Sequence, residues 1–191
     1  MVSVIRSLLA EPRPMRPTMR AWWDWALVGV LLPASLVEGV LRDDLVWRPT
    51  AIALGLLVVL LLWWRSTHPL LVVIGAFGAT WAVYIAAMSA GVDAEQATLW
   101  TGACLLLLPY ALLRWGAGYE AAIGLVIVVA FPLLSPATHA SAGPLEALVG
   151  SGFFLFSATL GAAVRYWAHA RLRDFEQVRL REREQLAREL H

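Results

Sequence analysis

The residues richest in chemistry close the chain. His191 follows Arg188 and Glu189, and a histidine with its unperturbed pKa of about 6.5 is a neutral, nucleophilic imidazole near pH 7. Such a nitrogen can accept a phosphoryl group where Mg²⁺ and cationic groups stabilise the transferring charge. The other candidates are scattered. Cys104 is the single cysteine, which excludes an intramolecular disulfide and any CxxC metal knuckle. His68 and His139 fall in polar breaks on opposite sides of the apolar runs, so they share no metal, and His169 reads as a solvated helix residue just below the last run. Asp24 and Glu38 sit at either end of the first apolar run, where carboxylates reach the headgroup layer by snorkelling. His191, with Arg188 and Glu189 just before it in the chain, is the residue of most chemical interest. No cofactor-binding or metal-ligating set is expected in the chain.

What must position a terminal histidine is a membrane protein. Of 191 residues, 60% are hydrophobic and 15% charged, against about half and about a quarter in soluble domains. The mean hydropathy is +0.67. Fifteen arginines and no lysine face fourteen acidic residues, so no bulk basicity points to nucleic acid. Six runs have the length or composition of a membrane crossing: Trp22–Leu41, Thr50–Trp64, Pro69–Met88, Ala97–Leu113, Gly118–Leu134 and Leu145–Trp167, the second being the shortest. None shows the strict alternation of a lipid-facing barrel strand. The first run is read as a retained span, not a cleaved signal, because no small-x-small site leads from it into a polar domain.

Arginine placement predicts the orientation. Arg6, Arg13, Arg16 and Arg20 precede the first run, Arg65 follows the second, Arg114 the fourth, and seven arginines from Arg165 onward follow the sixth. The alternate breaks hold only Arg42 and Arg48, beside Asp43, Asp44, Asp93, Glu95 and Glu146. By the positive-inside rule both termini are expected in the cytoplasm, and an even number of spans agrees by placing them on one side. Nine of the ten tryptophans fall near a run end, Trp81 excepted, as expected of rings that prefer the interface. The breaks are all short, so no extracytoplasmic ligand-binding domain is expected. Pro33, Pro109 and Pro132 are expected to kink their helices. Gly75, Gly78, Gly150, Gly152 and the stretch Ala158–Ala162 permit close helix packing.

From Ala168 the composition changes to dense alternating charge without Pro or Gly. Pairs such as Glu184 and Arg188 stand at helical spacing, and Leu172, Phe175, Val178, Leu186 and Leu190 form a sparse seam. The sixth run is thus expected to continue as one helix into a parallel dimeric rod; a solvated charged tail is the plainer reading. The expected fold is all-α: a polytopic bundle of about six membrane helices, N-in and C-in, continuing into a cytoplasmic signalling and dimerisation helix. Its parts are an Arg/Pro-rich tail over residues 1–20, a membrane domain over 21–167 and a signalling helix over 168–191.

The segment Leu186-Ala187-Arg188-Glu189-Leu190-His191 resembles the phosphoacceptor helix of sensor histidine kinases of the DesK- and NarX-like subgroup, whose pattern is approximately E-R-x-R-I-A-R-E-L-H-D. Leu186 stands for the usual Ile and Gln185 for a common Arg; the acidic residue that normally follows the histidine is absent, because the chain stops at His191. Trp64-Arg65-Ser66-Thr67-His68-Pro69-Leu70 and Ala111-Leu112-Leu113-Arg114-Trp115-Gly116-Ala117-Gly118 are similar to turns that follow the second and fourth spans in actinobacterial members. The resemblance covers essentially the whole chain, and its discriminating part is the terminal hexapeptide. It implies a membrane sensor and transmitter whose His191, supported by Arg188 and Glu189 of the same motif, is phosphorylated and then serves a NarL-type response regulator. It also implies a homodimer through the C-terminal helix in the plasma membrane, with lipid as a partner. ATP and Mg²⁺ would serve the complete kinase but have no binding motif in this chain, which reads as an N-terminal fragment or truncated gene product. Two other readings stand beside it. A small six-span transporter or channel subunit would need a polar midplane path and inverted repeats, and neither is visible. A non-enzymatic membrane scaffold with a coiled-coil tail would need neither.

Overall fold

The structure, a computed structural model, describes residues 22–133 and 144–189. Within them, all six apolar runs are helical. The α-helices are α1 (Trp22–Leu41), α2 (Arg48–Leu62), α3 (Pro69–Ser89), α4 (Leu107–Trp115), α5 (Gly118–Leu133) and α6 (Pro144–Glu189), with 3₁₀ turns at Ala94–Ala97 and Trp100–Leu106. No strand occurs among the described residues.

Local chemistry sets the boundaries. Pro49 and Pro69 lie in the first turns of α2 and α3, where a missing N–H leaves no intrahelical bond unmade. The chain leaves α3 through Gly91 at φ 69°. The Gly91 N–H donates to the Met88 carbonyl and the Val92 N–H to the Ala87 carbonyl, a Schellman ending that requires a left-handed residue.

The fourth run differs from the uninterrupted helix expected over Ala97–Leu113. It is 3₁₀ for seven residues, Trp100–Leu106, before turning α-helical at Leu107, although 3₁₀ runs rarely exceed three or four residues. Pro109 supplies a reason. Deep inside an α-helix its ring would clash with the Leu105 carbonyl and leave that carbonyl unbonded; in the first turn of α4 neither penalty applies.

Among the described residues three helices are long and apolar enough to cross a membrane: Asp24–Leu41, Pro69–Ser89 and Ala147–Arg171, of 18, 21 and 25 residues. Arg48–Leu62 and Gly118–Leu133 are apolar but shorter. The core joins the middle of the bundle through Val58, Leu62, Val72, Phe77, Leu108, Leu112 and Val128. Phe77 lies edge-on to Phe131 and Phe154, at 4.9 and 5.6 Å between ring centres. The outside is apolar too: Leu71, Val126, Phe153 and Phe156 are exposed, as on helices that are hydrophobic all round.

Helix α6 is one uninterrupted helix of 46 residues, about 69 Å long at 1.5 Å per residue. It packs parallel to α4. The Ser157 hydroxyl donates to the Leu106 carbonyl, Gly161 lies over the backbone of Tyr110, and the Arg165 guanidinium reaches the Gly116 carbonyl.

Candidate functional site

Two polar clusters and one helix–helix joint carry the chemistry of the described residues. The first cluster ties the end of α1 to the 3₁₀ stretch. The Glu38 carboxylate accepts the backbone N–H groups of Trp100 and Thr101, the latter at 2.9 Å. It thus caps a helical start sixty residues away with the charge a helix N-terminus favours. Glu38 had been expected to snorkel toward the headgroups. It turns inward instead, onto these two amides.

Arg42 completes the cluster. It lies 3.6 Å from Glu38 and makes a two-pronged contact with Asp44 at 2.8 and 2.9 Å. It also donates to the carbonyls of Thr98 and Glu95, each at 2.9 Å, and its guanidinium stands 4.7 Å from the centre of the Trp100 ring. Every face of the fork is used, the geometry for which arginine is suited and lysine is not. The hydrogen bond with Asp44 raises the Arg42 pKa above its ordinary value and lowers that of Asp44. Arg48 adds an exposed contact to Asp43 at 3.0 Å.

The opposite end holds the second cluster. Asp24 pairs with Arg65 at 2.6 Å, and Trp25 meets Trp63 edge-on at 4.4 Å. These contacts join the start of α1 to the turn after α2. Glu120, buried in the first turn of α5, accepts the Ala117 N–H at 2.8 Å, half of a capping box. Arg114 stacks over Trp115 at 4.8 Å.

The joint lies between α4 and α6. Arg165 donates to the Gly116 carbonyl at 2.7 Å, setting a cation against the C-terminal end of α4 where the helix dipole favours it. A Cβ at position 161 would stand 2.9 Å from the Tyr110 Cα and 3.0 Å from its carbonyl carbon, so this close approach requires glycine. Arg165 had been read only as the first arginine of the charged tail. Its position within Ser157-x-x-x-Gly161-x-x-x-Arg165 marks one helical stripe, and that spacing was the available sign of a packed face.

Of the residues read from the sequence as the phosphoacceptor site, the structure describes only the backbone of two. The backbone of Arg188 and Glu189 belongs to α6, while His191 lies outside the described residues, as do Leu190 and His139. His68 is exposed at the start of α3 and His169 is half-buried on α6. Cys104 is a buried free thiol. Among the described residues no three His, Cys, Asp or Glu side chains gather as a metal site. Comparison of the chain with protein-family models, with curated proteins and with solved structures finds no match.

Proposed function

We propose that the chain is the membrane-embedded sensor and transmitter part of a two-component histidine kinase. In this reading the six helical runs are six crossings with both termini in the cytoplasm, and the charged half of α6 is the rod of a homodimer. His191 accepts a phosphoryl group and passes it to a response regulator of the NarL type. The observation that carries the reading is the continuity of α6. One helix without Pro or Gly after Gly161 runs from an apolar, membrane-length segment to Glu189, two residues short of the histidine.

Two further observations support it. The arginines Arg65, Arg114 and Arg165 lie at the turns following α2 and α4 and at the matching level of α6, as the positive-inside rule asks of a cytoplasmic face. The grip of Arg165 and Gly161 on α4 then gives the bundle a handle on the rod, which a transmitter needs. The chain's own share of the chemistry is to carry the imidazole and set its exposure. ATP and Mg²⁺ find no phosphate loop or carboxylate set in this sequence, so no step is assigned to them here.

Cysteines introduced one at a time along residues 172–190, in a Cys104→Ala background in native membranes, test the reading. Dimer crosslinks recurring every three to four residues are expected for a coiled coil. Crosslinks without that period, or none, remove the transmitter mechanism. The open reading frame past His191 tests the rest: it should specify an acidic residue next and an ATP-binding domain after it. A frame with neither leaves the scaffold reading in possession.

A further inference from the structure

A cavity of about 260 Å³ opens between α2, α3 and the 3₁₀ stretch, with Phe131 and Phe154 closing its floor. Its walls divide by chemistry. Leu54, Val58, Phe131 and Phe154 form an apolar side, and Thr80, Tyr84, Thr98 and Thr101 a hydroxyl side. We propose that this cavity is a binding site for a small uncharged amphiphile that carries a hydroxyl donor on an aromatic or aliphatic body.

The size follows from volume. A dry cavity of about 150 Å³ accommodates benzene, so 260 Å³ suits a molecule of about ten non-hydrogen atoms by the same scale. The polarity follows from where the hydroxyl protons go. Thr80 donates to the Ala76 carbonyl at 2.8 Å and Thr98 to the Ala94 carbonyl at 2.9 Å. The Ser35 hydroxyl donates to the Leu31 carbonyl at 2.9 Å and lies 3.2 Å from the Thr101 hydroxyl, and Tyr84 hydrogen-bonds Thr98. The Thr80 and Thr98 oxygens keep lone pairs but have committed their protons to backbone, so this side of the wall offers acceptors and selects a donor. Among the described residues no charged side chain lines the cavity. Glu95, three residues before Thr98, brings its negative charge to bear on Tyr84, and the Arg42 guanidinium is taken up by Glu38, Asp44 and the carbonyls of Thr98 and Glu95. An anion would therefore enter unpaired, at a penalty of several kcal/mol.

The site has an outlet. Thr98, Leu99 and residues 101–105 line it, and the 3₁₀ run of Trp100–Leu106 leads into α4 and receives Ser157 of α6 at Leu106. Filling the cavity acts on the long helix directly through Phe154 and through this irregular stretch. Binding itself does not depend on the kinase reading; the relay of binding to α6 rests on it.

The full chain in phosphatidylcholine vesicles tests the site, with Cys104 as a native reporter because its thiol also lines the cavity. The rate of its modification by methyl methanethiosulfonate is measured with 4-propylphenol, with propylbenzene and with 4-propylbenzoate. Protection by the phenol of at least threefold is expected, with the other two at least tenfold weaker in effective concentration. Thr80→Val should weaken phenol protection and Thr80→Ser should retain it. Equal protection by phenol and propylbenzene would reduce the effect to partitioning into the bilayer, and no protection by any probe would leave a water-filled space; either overturns the proposal. Loss of dimer crosslinks along residues 172–190 would instead strike the signalling reading and leave these labelling rates untouched.

Discussion

Two glycines on one helix should respond to the same substitution with opposite signs. At Gly161 an added Cβ meets the backbone of Tyr110, its nearest carbon neighbours lying at 2.9 and 3.0 Å, whereas carbon atoms rest at about 3.5–4.0 Å. Helix α6 would have to move away from α4 by roughly 0.5–1 Å, by the difference of those distances. Backbone cannot swing aside as a flexible side chain can. At Gly152 no atom lies within 4 Å of the same Cβ. Both residues lie within α6, so the gain in helix propensity from Gly to Ala, about 1 kcal/mol, is common to the two and cancels in their difference. What remains is the overpacking term, about 1–3 kcal/mol. Gly152→Ala should leave stability unchanged or raise it slightly, and Gly161→Ala should fall below it by that amount. Unfolding of the two variants in mixed micelles with increasing SDS, followed by tryptophan fluorescence, measures the difference directly. Equal midpoints with equal slopes would refute the parallel contact of α4 and α6. A loss at Gly152 larger than at Gly161 would do so more forcefully.

Other residues make shorter tests. The Asp44 carboxyl is held below its ordinary value by Arg42, so its contribution is complete above the usual carboxylate pKa of about 3.9 and is lost as pH falls through the lower, folded value. Acid titration of stability should therefore show a fall below about pH 4 that Asp44→Asn removes; an unchanged acid limb would contradict the pairing. Replacing Glu38 with Ala leaves the Trp100 and Thr101 amides without their cap, a loss of about 0.5–2 kcal/mol, and hydrogen exchange at those two amides should accelerate while that of α5 does not. The Asp24–Arg65 pair, with side chains about one-fifth exposed, should show a coupling of only about 0.2–1 kcal/mol in a double-mutant cycle and weaken in high salt. A coupling several times larger would mean that the pair is shielded from solvent.

Local pattern and long-range contact divide what the sequence reveals. The helix limits were legible because apolar runs end where arginine, aspartate, glycine and proline make continuation expensive; α1 ends at Leu41 as read, and α5 begins at the expected Gly118. The second run was recognisably the shortest, and α2 is a 15-residue helix. The 3₁₀ stretch was not legible, since Trp100–Leu106 is as apolar as a regular helix and only Pro109 hints at a delayed start. Nor were the roles of Glu38 and Arg42. Their partners lie more than fifty residues onward, at Thr98, Trp100 and Thr101, and no periodicity records such a meeting. The phosphoacceptor motif is the reverse case: a local pattern read entirely from residue order, with the histidine beyond the described helix.

The length of α6 turns small rearrangements into large ones. Beyond Arg171, where its apolar segment closes, the helix runs on for residues 172–189, about 27 Å of lever arm. A lean of about 10° pivoting at that point sweeps the far end sideways by about 5 Å, close to one helical pitch. Shifts too slight to disturb packing among buried phenylalanines are thereby magnified into a displacement that decides which neighbour a terminal side chain can reach.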